Sequence, residues 1–204
     1  MTGDHYFSVD PASELRPRRI TVSLAGRDVE VTTAAGIFSP DHIDWGTRVL
    51  LSHVPPPPPG GDLLDLGCGW GPIALSLGLE SPHATVWAVD VNERALELTR
   101  RNAADLGLTN VNASLAADVP DDVSFRTIWS NPPIRVGKSE LHGILETWLP
   151  RLAPGGDAWL VVQKNLGSDS LQRWLESTLP PDYTTTRSAT NRGFRVLRVR
   201  RRLG

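Results

Sequence analysis

Residues 63–71 read Leu-Leu-Asp-Leu-Gly-Cys-Gly-Trp-Gly, so three closely spaced glycines directly follow a short apolar run. The apolar run predicts a buried strand, and Pro72 suits the first turn of a following helix. Glycines at such a turn let the backbone approach a bound ligand closely. In open α/β sheets, ligands bind beyond the carboxyl ends of the strands. We therefore expect an α/β fold whose ligand site lies at this loop.

Strand and helix patterns alternate along the chain after Gly61. Apolar and β-branched runs predict strands at residues 62–66, 84–89, 111–115, 125–129, 158–162, 183–187 and 194–200. Helical spacing predicts helices at residues 72–79, 92–106, 139–149 and 169–179, and Pro154-Gly155-Gly156 predicts a turn. This alternation predicts a mostly parallel seven-stranded sheet with helices on both faces.

The first 61 residues show a different pattern. Apolar residues alternate in segments 20–24 and 29–31 around a Gly-containing turn, which predicts an N-terminal β-hairpin. Ser39-Pro40 predicts the start of a helix. We divide the chain into a hairpin-and-helix segment (residues 1–54), a Pro/Gly connector (55–61) and a catalytic core (62–204), together one structural domain.

Two carboxylates indicate which cofactor the glycine loop binds. Asp65 precedes Gly67 by two residues, where its charge would repel a pyrophosphate but suit a cationic ammonium group. Asp90 ends the second predicted strand and could accept hydrogen bonds from a ribose diol, as both nicotinamide and methionine-derived cofactors require. The alternative is that both acids only close strand-end turns. The remaining predicted cofactor contacts are Gly67, Cys68, Gly69, Gly71, Val91, Asp118, Val119 and Asn131. Of these, Asp118 would accept from the adenine amino group, Val91 and Val119 would cover the adenine faces, and Cys68 is expected to be a small buried thiol.

From Leu63 to Asp118 the chain resembles the class I S-adenosylmethionine-dependent methyltransferases, which have a Rossmann-like fold. The resemblance is more specific at Asn131-Pro132-Pro133-Ile134, directly after the fourth predicted strand. An Asn-Pro-Pro motif at this place is typical of the members that methylate amino groups. S-adenosylmethionine is therefore the expected cofactor.

The chemistry of an exocyclic amino group explains the Asn-Pro-Pro motif. Such an amine is a poor nucleophile because its lone pair is delocalised into the ring. The side-chain oxygen of Asn131 and the carbonyl oxygen of Pro132 could each accept one amino hydrogen and so direct the lone pair at the methyl group. The two prolines hold these acceptors in place before the substrate arrives. We predict Asn131 and Pro132 as catalytic residues.

A closer resemblance is to the methyltransferase small domain family, and within it to single-domain guanine-N2 methyltransferases of small-subunit ribosomal RNA. It is carried by residues 5–8, 36–39, 131–138, 163–164 and 193–196. It implies that the Phe38 region lies beside the cofactor and substrate cleft. The predicted substrate-binding residues are Phe38, Pro133, Ile134, Arg135 and Lys138. Ile134 departs from the aromatic residue usual in adenine- and glutamine-methylating relatives. Either Phe38 or Arg135 would therefore supply the stacking surface, or the base would be held mainly by its edges.

Three other functions remain open. The same motif serves methylation of adenine N6 or of a protein glutamine, although Ile134 weighs against both. A non-catalytic protein that binds cofactor and RNA is disfavoured because Asp65, Asn131 and Pro132 are intact. A nicotinamide dehydrogenase is disfavoured by Asp65 and the short glycine spacing.

Charge and composition bear on the partners and on the compartment. The net charge of −2 argues against nucleic-acid binding by the whole surface, but seven arginines and no acidic residue lie between Tyr183 and the C-terminus. This local basic patch favours binding of nucleic acid, and the resemblance implies ribosomal RNA or an assembling small ribosomal subunit as the partner. No apolar segment approaches the roughly 20 residues of a membrane span, and no zinc-ligand spacing is present. The single cysteine fits a reducing compartment, so the chain is expected in the cytoplasm. No metal is expected.

Overall fold

The computed structural model describes residues 17–133 and 137–204. The resemblance at residues 5–8 and the predictions for Ile134 and Arg135 lie outside this part of the chain. The strands are β1 Arg18–Leu24, β2 Arg27–Thr33, β3 Gly60–Leu66, β4 His83–Val89, β5 Val111–Ser114, β6 Phe125–Ser130, β7 Leu152–Gln163, β8 Tyr183–Asn191 and β9 Phe194–Arg201. The helices are α1 Trp45–His53, α2 Pro72–Glu80, α3 Glu93–Asp105, α4 Lys138–Trp148 and α5 Ser168–Thr178.

Seven strands form one sheet in the order β5-β4-β3-β6-β7-β9-β8. Strands β3 to β7 run parallel, and β9 and β8 are antiparallel to their neighbours. Strand order reverses beside β3, between β4 and β6, which is where ligands bind in such sheets. We call the edge at which β3 to β7 end the carboxyl edge. The predicted mostly parallel seven-stranded sheet is confirmed.

Helices cover both faces of the sheet. On one face, buried residues of α1, α2 and α3, among them Leu50, Leu77 and Leu96, pack against Leu63 of β3. On the other, Leu145 of α4 and Leu175 of α5 join a second buried cluster. Both helix layers bury apolar side chains, which is the main source of stability in such a fold.

The predicted hairpin, β1 and β2, packs outside the sheet. Val22, Leu24 and Val31 contact the outer side of α2 and α3. Buried Asn102 of α3 accepts from the Thr32 backbone N–H at 2.7 Å and donates to the Thr32 carbonyl at 3.0 Å. This pairing satisfies backbone groups on the edge of β2 and fixes the hairpin beside the glycine loop.

The helix predicted to start at Ser39-Pro40 begins five residues later. Ser39 adopts a left-handed φ of +46°, and its hydroxyl donates to the His42 carbonyl at 2.6 Å, so residues 39–42 form a turn. Asp44 caps α1 instead, accepting from the Gly46 N–H. The turn predicted at residues 154–156 is also wrong, because it is an irregularity within β7.

The C-terminal arginines do not form the free basic patch that the sequence suggests. Arg198 and Arg200 both pair with Asp157, at 2.6 and 2.9 Å, and Arg201 pairs with Asp182. The register pairs Arg198 and Arg200 with the beginning of β7, away from the carboxyl edge. Two acidic residues, Asp157 and Asp182, thus neutralise part of the charge of these three arginines, which a charge count from Tyr183 onward could not reveal.

No helix in the described part of the chain is long and apolar enough to cross a membrane. Within those residues, no group of three or more His, Cys, Asp and Glu side chains is placed to hold a metal ion.

Candidate active site

The glycine loop lies at the carboxyl edge and is held against β4. The backbone N–H groups of Gly67 and Cys68 both donate to the Val89 carbonyl, at 2.8 and 3.0 Å. Gly67 and Gly69 have positive φ values of 81° and 56°, and a Cβ added to either would meet nothing within 4 Å. A side chain there would be strained and would fill space that a ligand can occupy.

Asp65 lies beneath this loop with no exposed surface. Its Oδ2 accepts from the Ala74 N–H at 2.8 Å, whereas Oδ1 accepts no hydrogen bond from the residues that the structure describes. Burial raises the pKa of Asp65 well above its ordinary value, and the hydrogen bond from Ala74 only partly opposes this. A buried carboxylate oxygen without a donor is costly, so a cationic ligand would stabilise it.

Asp90 connects the glycine loop to the next turn. Its Oδ2 accepts from the Gly69 N–H and its Oδ1 from the Asn92 N–H, each at 2.9 Å. Burial raises the pKa of Asp90, while these hydrogen bonds lower it. Each carboxylate oxygen keeps a second lone pair, so a role toward a ribose diol is compatible with this structural one.

The other predicted adenine contacts follow neighbouring strands at the same edge. Val91 is 53% exposed, as expected of a residue that would cover a ligand ring, whereas Val119 is only 3% exposed and packs in the core. Asp118 is exposed at the end of a 3₁₀ turn, Ala116–Asp118, after β5. Their ligand contacts therefore stay predictions.

Cys68 is buried, with Sγ 3.7 Å from the Thr99 hydroxyl oxygen. Burial raises the pKa of its thiol well above the ordinary value, and the charges of Asp90 and Asp65 add to this effect. A thiol with a raised pKa is a weak nucleophile. Cys68 therefore packs in the loop as a small buried residue.

The Asn-Pro-Pro segment begins where β6 ends, beside the glycine loop. The Ser130 hydroxyl donates to the Leu66 carbonyl at 2.6 Å and so ties the ends of β6 and β3 together. Pro132 is buried, and Asn131 and Pro133 are partly exposed. Lys138, predicted to contact substrate, is exposed at the first turn of α4.

Asn131 and the glycine loop share one pocket, together with Phe38, which is 42% exposed. Its lining residues are Phe38, Ser39, Asp44, Thr47, Gly67, Cys68, Gly69, Trp70, Pro72, Ile73 and Asn131. The structure thus brings together residues predicted for cofactor, catalysis and substrate. A separate cavity of about 710 Å³ lies between the hairpin and α1 and α2 and shares no lining residue with this pocket.

Two residues of this pocket were not predicted from the sequence. Asn131 Nδ2 donates to Asp44 Oδ2 at 3.0 Å and to Thr47 Oγ1 at 3.1 Å. Both partners belong to the first turn of α1. A signal was available, since Asp directly before a run with an apolar helical face is a good N-cap, but Ser39-Pro40 was the stronger helix-start pattern.

Comparison with known proteins supports one family. The profile of the methyltransferase small domain matches residues 28–198. The uncharacterized protein YbxB of Bacillus subtilis is 38% identical over 176 residues, which cover 85% of this chain and 88% of YbxB. Ribosomal RNA small subunit methyltransferase C of Pseudomonas aeruginosa is 32% identical over 198 residues, or 94% of this chain.

This chain spans 57% of the length of the Pseudomonas enzyme. A similar share holds for a solved structure, described as the Thermus thermophilus 16S rRNA N2 G1207 methyltransferase in complex with AdoMet and guanosine. That structure superposes with a TM-score of 0.79 at 22% identity, covering 94% of this chain and 52% of the other. It supports the fold. On the extent of the profile match and the identity to YbxB, the chain belongs to the methyltransferase small domain family.

Proposed function

We propose that this chain transfers a methyl group from S-adenosylmethionine to N2 of a guanine in small-subunit ribosomal RNA. The observation that carries the proposal is the placement of Asn131. Its side-chain NH2 group is engaged by Asp44 and Thr47, so its oxygen remains to accept a hydrogen bond, in the same pocket as the glycine loop.

The residues present fit S-adenosylmethionine. The unpartnered Oδ1 of Asp65 suits an ammonium group, and the open space before Gly67 and Gly69 suits close contact with the backbone. When bound, this cofactor supplies a methyl group activated by a positively charged sulfur. Asp90 holds Gly69, and the second lone pairs of its carboxylate oxygens would accept from a ribose diol.

The chain's own residues would act on the target amine. The Asn131 oxygen and the Pro132 carbonyl would each accept one amino hydrogen, which localises the nitrogen lone pair and directs it at the methyl group. Phe38, which lines the same pocket and is partly exposed, is the side chain that we propose packs against the base. The amine nitrogen would gain the methyl group together with the positive charge that sulfur loses. Its N–H would then be acidic enough to pass a proton to water, so no strong general base is needed.

Two similar proteins support the proposed substrate, one for small-subunit ribosomal RNA and the other for guanine N2. The Pseudomonas relative is named a small-subunit ribosomal RNA methyltransferase, and the Thermus structure is described as a guanine-N2 enzyme. Because these proteins are nearly twice as long as the matched region, substrate and partner are proposals for this chain.

Mass spectrometry of nucleosides tests the proposal directly. Deproteinised 16S ribosomal RNA and small ribosomal subunits, each lacking guanine-N2 methylation, are treated with the protein and isotope-labelled cofactor. We expect label in N2-methylguanosine, and 23S ribosomal RNA serves as control. Label in N6-methyladenosine, or in a protein glutamine of the subunit, would instead support the corresponding amino methyltransferase.

A further inference from the structure

The amide of Asn131 is oriented by the hydrogen bonds that hold it. Both Nδ2 hydrogens have acceptors, Asp44 Oδ2 at 3.0 Å and Thr47 Oγ1 at 3.1 Å. A carboxylate can only accept, so the opposite amide orientation would place two oxygens against each other. Oδ1 accepts nothing from the described residues and is available to a ligand.

The first turn of α1 leaves little freedom in this arrangement. Asp44 Oδ2 also accepts from the Gly46 N–H at 2.7 Å, so the same carboxylate caps the helix and binds Asn131. A Cβ at Gly46 would lie 2.9 Å from Asp44 Oδ2 and 3.2 Å from Asn131 Nδ2. A glycine at this position therefore gives the carboxylate and the amide the room to meet.

From these contacts we infer that Asp44 and Thr47 are positioning residues, which keep the Asn131 oxygen directed at the target amine. The inference rests on the proposed function, since it assigns a role within the same site. Either residue acts through Asn131 and need not touch the substrate.

Matched substitutions of Thr47 test the role. Thr47→Val removes the acceptor at nearly constant volume and should lower kcat about fivefold, since one hydrogen bond contributes about 1 kcal/mol. Thr47→Ser keeps the hydroxyl and should restore most of kcat. Cofactor Kd and the KM for RNA should stay unchanged in both variants.

Asp44 gives a second matched pair. Asp44→Ala should lower kcat at least tenfold, and Asp44→Asn, which still offers an amide oxygen, should recover part of the loss. Because Asp44→Ala also removes a helix cap, thermal melting must show that the protein remains folded at the assay temperature. Wild-type kcat in both Thr47→Val and Asp44→Ala would overturn the inference. If the wild-type protein methylates no amine, the proposed function fails instead.

A second observation concerns the outer side of the same helix turn. Trp45 is 46% exposed, and the guanidinium carbons of Arg192 and Arg48 lie 4.5 and 5.2 Å from its ring centroid. Stacking on the ring restrains both side chains. Arg48 Nε donates to the Ile43 carbonyl at 2.9 Å, and the terminal guanidinium N–H groups of both arginines remain available to an anion.

The charges of these two arginines are not neutralised. No carboxylate of residues 17–133 or 137–204 lies within 4 Å of Arg48 or Arg192, whereas Arg198 and Arg200 both pair with Asp157. Within the C-terminal arginine run, Arg192 is thus the unpaired cation that lies at the carboxyl edge.

Contacts across the turn between β8 and β9 bring this group next to Asn131. Phe194 lies so close to Gly46 that an added Cβ would be 3.1 Å from its ring. The Lys164 N–H donates to the Gly193 carbonyl at 2.7 Å, which brings a further exposed cation to the turn. We call Trp45, Arg48, Lys164 and Arg192 the Trp45 surface.

We propose that the Trp45 surface binds the sugar–phosphate backbone of the RNA strand that carries the target base. Arg48 and Arg192 flank Trp45, on the α1 turn whose other residues Asp44 and Thr47 bind Asn131. Phosphate contacts fix the register of a nucleic acid without reading its sequence. This proposal also rests on the proposed function, because it assumes an RNA substrate.

Binding of a labelled single-stranded oligouridine, followed by fluorescence anisotropy over a range of salt concentrations, tests the proposal. Arg48→Ala/Arg192→Ala should weaken binding several-fold and lower the salt slope by about 0.7 for each phosphate that the protein no longer neutralises. Trp45→Leu should weaken binding to a smaller extent. Affinity for S-adenosylmethionine should not change in either variant.

The matched control is Arg198→Ala/Arg200→Ala, which removes the same charge at the opposite edge and should leave affinity and salt slope unchanged. Equal losses of affinity and of salt slope in the two double variants would overturn the proposed role of the Trp45 surface in RNA binding, because net charge alone would then explain both losses. If the wild-type protein does not bind oligouridine or ribosomal RNA, the RNA substrate of the proposed function fails as well.

Discussion

Replacing Asn131 by Ala is expected to lower turnover about 100- to 1000-fold while S-adenosylmethionine still binds with nearly wild-type affinity. Loss of one preorganised group that acts on the reacting atoms typically costs this much. The side chain is held by Asp44 and Thr47 rather than by the glycine loop, so its removal leaves the cofactor residues in place. Single-turnover methylation and calorimetry of cofactor binding measure the two quantities separately.

Asn131→Asp keeps a side-chain oxygen at this position but removes the NH2 group that orients it. The new carboxylate would stand where Nδ2 now lies 3.0 Å from Asp44 Oδ2, so two like charges would meet. We expect lower thermal stability and little turnover. The exchange Asp44→Asn/Asn131→Asp restores a donor and an acceptor and should recover stability and part of the turnover. Wild-type turnover in Asn131→Ala would contradict the mechanism altogether.

The sequence predicted those parts of the fold that depend on local pattern. The apolar run before Gly67 predicted β3, and the helix predicted from residue 92 is α3, which Asn92 caps by accepting from the Arg94 and Ala95 N–H groups. Both signals lie within a few residues of the structure they determine. Their reliability follows from short-range geometry, namely strand burial and helix capping.

Features that depend on contacts between distant segments were not predicted. Asp44 meets Asn131 across 87 residues of sequence, and Arg198 meets Asp157 across 41. No periodicity or local charge count contains such a pairing. The start of α1 was missed for a related reason, since Ser39 carries a capping side chain but a left-handed backbone. The position of Asn131 beside the glycine loop was thus predictable, whereas the residues that hold its side chain required the tertiary structure.

Asp65→Asn is expected to weaken S-adenosylmethionine binding about 10- to 100-fold near neutral pH, the range for a hydrogen bond to a charged group. Burial raises the pKa of Asp65, so in the cofactor-free protein its carboxyl group stays protonated at pH values where an ordinary carboxyl is ionised. An ammonium group beside Oδ1 favours the ionised form, and binding should therefore release a proton. Wild-type affinity should rise with pH through the interval between the ordinary and the raised pKa.

The same raised pKa makes the stability of the fold decrease with pH, whereas it makes the affinity for the cofactor increase with pH. A carboxyl whose pKa is raised in the folded state stabilises the fold below its unfolded pKa, and this contribution is lost as pH rises through the folded pKa. Asp65→Asn should remove that part of the pH dependence of thermal unfolding. Calorimetry in two buffers of different ionisation enthalpy counts the protons released on binding, which should be fewer in the variant.

Methylthioadenosine provides the control because it lacks the amino acid group of the cofactor. If Asp65 acts on the ammonium group, the wild-type protein and Asp65→Asn should bind methylthioadenosine equally, and only the intact cofactor should distinguish them. An equal loss of affinity for both ligands would mean that Asp65 supports the loop through Ala74 and has no direct role toward the ligand. The unpartnered oxygen favours the first result, since a carboxyl group needed only for the Ala74 hydrogen bond would leave its buried Oδ1 without a partner.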